Sequence, residues 1–131
     1  MKTYQSGVLV DEYEDDNLVV SAARSQMARL VAGEAGRQIA KIAFGTNGKA
    51  PNPADSFIIN QFVKNISSYN FQDERVLFDW ELKVTENNGM DILEFGLLTA
   101  DDILFARKTR ANPLRKTADI SLEGQWTLIF N

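Results

Sequence analysis

Glu94 and Arg107 are the two residues whose types and placement come nearest to chemistry in this chain. Glu94 alternates with Ile92, Gly96 and Leu98, so its carboxylate is drawn to the apolar face of a strand, where a charge is tolerable only when paired and hydrogen-bonded. Arg107 stands on the next run of alternating residues, across a hairpin. A carboxyl in such surroundings suits a catalytic acid. With a guanidinium facing it, the same placement makes a structural ion pair that fixes strand register, and that is the reading adopted.

Other routes to catalysis are few. Histidine, the usual titrating group near neutral pH, is absent, and so is cysteine, which removes thiol nucleophiles, thiolate metal sites and disulfides. Asp101 and Asp102 are adjacent in a turn and do not converge as a glycosidase pair must. Gly45-Thr46-Asn47-Gly48-Lys49 lacks the glycine-lysine-hydroxyl ending of a phosphate-binding loop, and two prolines follow it, so it reads as a tight turn. The expectation is a protein that is not an enzyme and uses no cofactor.

Charge is unevenly placed. The net charge of −4 derives from an acidic run, Asp11, Glu12, Glu14, Asp15 and Asp16, that contains no base. It lacks the glycine and the closing bidentate acid of a calcium loop, so no metal site is assigned to it. A complementary window, Arg107, Lys108, Arg110, Arg115 and Lys116, contains no acid. Docking of the acidic arm of one subunit on the basic loop of another would give salt-sensitive assembly. Acidity overall argues against nucleic acid and anionic membrane as partners.

These groups require elements to carry them. Residues 1–20 read as an acidic arm or edge strand, and 21–131 as a single domain. Ala23, Met27, Leu30 and Val31 recur at helical intervals, with Ser21 as N-cap and Gly33 or Gly36 as the stop. Ile39 to Phe44 reads as a buried strand ending in an Asn47-Gly48 turn. Asn52, Pro53 and Asp55 signal a helix start, and Ile58, Ile59, Phe62, Val63 and Ile66 form the apolar stripe of a second helix. Tyr69 and Phe71 then fall on a loop. If the sheet is too small to cover both helices, one stripe becomes an oligomer contact.

From Val76 the period becomes two. Val76, Phe78, Trp80, Leu82 and Val84 point inward, Asn87-Asn88-Gly89 makes a hairpin turn, and Asp91 to Leu98 is the partner strand. Ile103 to Lys108 follows, then a loop containing Pro113. The last strand places Ile120, Leu122, Gly124, Trp126, Leu128 and Phe130 on one face. The fold class expected is α+β and mainly β: an antiparallel sandwich or partly closed barrel with two short helices. Hydrophobic residues at 44% and charged residues at 24% of 131 suit a globular chain with one core. No segment reaches the length of a membrane-spanning helix, and none reads as a signal peptide.

The order of motifs resembles the attachment-type domain of bacteriophage tail-fibre and tail-collar proteins. The set comprises Ile42 to Gly48, Pro53-Ala54-Asp55, the strand around Trp80, Asn88-Gly89 with Glu94-Phe95-Gly96-Leu97, Leu104 to Arg107, Lys116-Thr117 and Trp126 to Phe130. It covers roughly Ile39 to Asn131. The resemblance implies a structural subunit or adaptor of a phage or prophage tail, in fibre, collar or baseplate, made in the bacterial cytoplasm and residing in the virion. It also implies other tail or virion proteins as partners and a homo-oligomer, with a trimer as the fibre expectation. A carbohydrate-binding module of a tail protein is the alternative. Trp80 and Trp126 are committed to the core, which leaves Tyr69 and Phe71 as glycan candidates.

Overall fold

The computed structural model describes residues 1–12 and 18–130. Among them are ten strands and one helix: β1 (Lys2–Gln5), β2 (Val8–Glu12), β3 (Leu18–Val19), α1 (Ala22–Val31), β4 (Ile39–Gly45), β5 (Phe62–Asn65), β6 (Ser68–Gln72), β7 (Arg75–Leu82), β8 (Asp91–Thr99), β9 (Leu104–Arg115) and β10 (Ile120–Ile129). The chain is mainly β. Its strands fall in two compact units, each with one five-stranded sheet, and each sheet is open, with an edge strand at either side. A closed barrel is therefore excluded for both.

The first unit combines described residues of 1–12, 65–89 and 116–130, with strand order β2-β1-β10-β7-β6. Its centre is the antiparallel pair β10 and β7, where Leu122 faces Leu82, Gly124 faces Trp80, Trp126 faces Phe78 and Leu128 faces Val76. Alternation puts all of these on one face, and both indoles are buried, at 3% exposure for Trp80 and 2% for Trp126. Glu123 with Glu81 and Gln125 with Asp79 occupy the opposite face. The apolar stripe ends sooner than its sequence suggests, since Val84 and Phe130 are exposed. Residues 2–12 form a true hairpin, closed by Ser6 and Gly7 at φ +50° and +81°.

The second unit combines residues 18–64 and 90–115, with order β3-β9-β8-β4-β5. Ile42, Ala43 and Phe44 on β4, Phe95, Leu97 and Leu98 on β8, and Leu104 to Arg107 on β9 are buried in consecutive positions, so both faces of the central strands are covered. On one face Phe44 and Phe95 meet edge to face at 5.8 Å between centroids. On the other, Ile58 packs with Val20, Ala43, Leu98 and Leu104.

Several expectations are corrected. The segment 53–66 is not a second helix: after one turn it runs irregularly to Asn60 (φ +53°) and becomes β5 from Phe62. The start signal does operate, because Asn52 Oδ1 accepts from the Ala54 amide and Asp55 Oδ2 from the Asn52 amide. The turn is not propagated, since residues 55–58 are already irregular, and the Ile59 amide then donates to Glu94 Oε1. In α1 the buried residues are Ala23 and Gln26, whereas Leu30 is exposed and Val31 is 89% exposed. Gln26 is turned inward by Arg37, whose Nη1 donates to its Oε1 at 3.2 Å. Ser21 has helical backbone angles and makes no side-chain cap.

The strands around Trp80 and Glu94 are not a hairpin pair. β7 pairs with β10 and β6, β8 pairs with β4 and β9, and the Asn87-Asn88-Gly89 turn passes the chain from one sheet to the other. Local turn chemistry is outweighed by the Trp126–Phe78 and Gly124–Trp80 register. Pro113 lies within β9 rather than in a loop, opposite the register shift between Ile92 and Glu94, where an irregular edge spares the missing amide. Tyr69 and Phe71 stand on strand β6, not on a loop.

Candidate functional site

The best-built polar centre lies in the second unit, on the face covered by residues 46–61. Arg107 Nε donates to Glu94 Oε2 at 2.7 Å, and both side chains are fully inside. Register explains their approach: Glu94 opposes Thr109 and Gly96 opposes Arg107, so the two are diagonal neighbours on one face of β8 and β9. Each remaining polar atom has a partner in the covering segment. Arg107 Nη1 donates to Asp55 Oδ2 and to the Lys49 carbonyl, both at 3.0 Å, and Nη2 donates to the Asn47 carbonyl at 2.9 Å. Glu94 Oε1 accepts from the amides of Asn47 at 3.1 Å and Ile59 at 2.8 Å.

Two carboxylates share one guanidinium, and backbone amides supply the rest of the compensation, which is what a buried charge requires. The arrangement is a clamp. Beside it, Gly45 and Gly96 leave room for Ile58: a Cβ at Gly45 would lie 2.4 Å from Ile58 Cγ2 and 2.5 Å from Glu94 Oε1, and one at Gly96 2.8 Å from Ile58 Cγ1. The sequence places Asp55 and Ile58 on an expected helix and brings neither of them, nor the two accepting carbonyls, to Glu94 and Arg107. The signal that points to them is a glycine at the end of one buried strand, Gly45, and at the middle of another, Gly96, a mark of close approach by another segment. Asn47 and Gly48 do not adopt positive φ; the Asn47 backbone is a landing site for Glu94 and Arg107.

The basic window is not a loop, since most of it lies on β9. Arg107 and Lys116 are buried, and the residues from Arg107 to Arg115 lie on β9. Lys108 is half-buried with its ammonium 5.3 Å from the Phe95 ring centroid, Arg110 is half-buried, and the exposed Arg115 pairs with Asp91 at 3.3 Å. In the first unit Lys116 Nζ donates to Asn88 Oδ1 at 2.8 Å, to the Thr117 carbonyl at 3.1 Å and to the Val84 carbonyl at 3.4 Å, tying the 84–88 turn. Burial pushes its pKa below the ordinary 10.5, against the pull of Glu86 and Asp119.

Of the acidic run, Asp11 and Glu12 are exposed on β2, and Glu14, Asp15 and Asp16 lie outside the described residues. No group of three or more carboxylates among the described residues is placed to hold a metal ion. Asp101 and Asp102 each face a base, Arg37 at 3.9 Å and Lys41 at 2.7 Å. Tyr69 and Phe71 are 64% and 73% exposed on the edge strand β6, their rings 5.7 Å apart and tilted by 69°. No protein-family model, curated protein or solved structure matches this chain.

Proposed function

We propose that the chain is a structural subunit or adaptor of a phage or prophage tail that acts by protein–protein assembly. The observation that carries assembly is the placement of exposed apolar groups on the border of the first sheet: Val8, Leu9 and Val10 on β2, and Tyr69 and Phe71 on β6. An edge strand offers a row of backbone donors and acceptors, and apolar side chains beside that row make it a template for another strand. The clamp supports the same reading, because a fully engaged guanidinium and two carboxylates stiffen a scaffold. Placement in a tail rests on the ordered motifs from Ile42 to Phe130, and other tail or virion proteins are the partners it supplies.

Deleting the gene from the phage or prophage that carries it tests this reading. Particles should then lack a tail component in electron micrographs and regain it when the gene is supplied in trans. Morphologically complete, infectious particles from the deletion would overturn it.

The second reading is glycan binding by the exposed rings of Tyr69 and Phe71. Sugar faces stack on rings presented flat to solvent, and the 69° tilt leaves these two without a common plane. Binding on a glycan array that is lost in Tyr69→Ala would favour it.

A further inference from the structure

Four strands border the two sheets, and three of them are short or carry charge, β2 only in its last two residues. β3 has two residues, β5 has four and carries Lys64, and β2 carries Asp11 and Glu12. Short length and charge are the ordinary means of blunting an edge. β6 has neither. Ser68-Tyr69-Asn70-Phe71-Gln72 is exposed at all five residues, pairs with β7 on one side and with no described strand on the other, and contains no Asp, Glu, Lys or Arg. Asn65 to Ser67 before it add none.

The sequence of the strand also selects its partner. About Asn70 it is symmetric in kind, with an aromatic residue on either side and a small or amide polar residue beyond each. Antiparallel pairing of β6 with a second β6 about a two-fold axis at Asn70 therefore sets Tyr69 against Phe71 of the second copy, twice. Ser68 meets Gln72 twice, and Asn70 meets itself. No charge faces a like charge at the axis, the condition a self-complementary surface must satisfy. Tyr69 and Phe71 lie opposite Phe78 and Val76, so they continue the apolar face of the sheet out to this edge. They already touch edge to face, and pairing would join two such contacts into a cluster of four rings.

The geometry points to a two-fold dimer of this chain, formed by antiparallel β6 to β6 pairing, in which the first sheet continues from one copy into the next. This rests on the assembly reading above and names a second copy as one partner. Every second residue of β6 turns its backbone amide and carbonyl away from β7, and the second strand supplies their hydrogen bonds.

Sedimentation equilibrium on the full chain tests it with three proteins: wild type, Asn70→Lys and Asn70→Asp. Asn70 is exposed and faces away from the rings, so both variants should keep the wild-type circular dichroism spectrum. Wild type should be a dimer. Each variant alone should dissociate with a Kd raised about tenfold or more, since it sets two like charges together at the axis. An equimolar mixture of the two should regain wild-type affinity, because lysine then meets aspartate. A monomeric wild type, a dimer indifferent to both substitutions, or a mixture no tighter than its components would overturn β6 pairing. A monomer that binds oligosaccharide through Tyr69 would also overturn it and favour the glycan reading. The gene deletion tests assembly into tails separately, so either proposal can fail while the other stands.

Discussion

Gly124 on β10 lies directly opposite Trp80 on β7, and the indole occupies the space where a side chain would begin: a Cβ at residue 124 would lie 2.1 Å from Trp80 Cε2 and Cζ2. The glycine is thus part of the packing of the ring. Trp80 is buried and cannot swing aside without disturbing the strand that carries β6. Gly124→Ala should destabilise the protein by about 1–3 kcal/mol, the usual cost of overpacking a close contact. Urea unfolding checks this, and wild-type stability in the variant would show that the indole has room to yield.

The clamp makes a larger demand. Arg107→Met leaves Glu94 and Asp55 buried or half-buried without their cation, and removing one partner of a buried ion pair costs about 3–5 kcal/mol. The loss should be localised at first. Hydrogen exchange should accelerate at the Asn47 and Ile59 amides, which Glu94 holds, before it does so in β10. Adding Glu94→Gln to Arg107→Met should cost much less than Glu94→Gln alone, because the two act as a unit. Strict additivity would show that the pair is not coupled.

Lys116 gives the stability a dependence on alkaline pH. Its folded pKa lies below 10.5, chiefly through burial, so between that lowered value and 10.5 the unfolded chain binds more protons than the folded one. Stability then rises with pH across that window, and the cost of the buried charge is present in full below it. Measured against Lys116→Met, wild type should gain stability as the buffer is taken from neutral to about pH 10, near the ordinary lysine value. A difference between the two proteins that does not change with pH would contradict this.

Asp119 acts on the acid side. The Thr117 hydroxyl and the Gln5 amide donate to its carboxylate and lower its pKa below 3.8, which joins the end of β1 to the turn before β10. The contribution is complete above 3.8 and is lost as pH falls through the lowered folded value. In Thr117→Ala the Asp119 carboxyl resonance should titrate closer to 3.8. An unchanged midpoint would remove the hydroxyl as the principal cause.

Strands that carry a period-two pattern over many residues were legible from sequence. β7, β8 and β10 appear close to their expected bounds, as does β4, which reads instead as a continuous buried run, and Trp80 and Trp126 are buried as their alternation requires. What failed did so where a distant partner overruled local chemistry. Asn52 and Asp55 make the turn that their types favour, yet no helix follows it, and the Ile59 amide is held by Glu94, thirty-five residues away. Asn87-Asn88-Gly89 has the composition of a hairpin, but the strand before it is claimed by β10. β6 does alternate, polar with aromatic from Ser68 to Gln72, but over five residues with two apolar positions, a shorter run than those that mark the core strands. Within the clamp, Glu94 and Arg107 were legible from alternation, whereas Asp55 and the carbonyls of Asn47 and Lys49 enter only through the path of the covering segment.

If this chain is a tail component, as proposed, it must be found in purified particles. Quantitative mass spectrometry of density-purified particles should recover the chain in a fixed whole-number ratio to the tail-tube protein, unchanged by a high-salt wash. Its absence from infectious particles, or a ratio that falls with each wash, would overturn the proposed tail role.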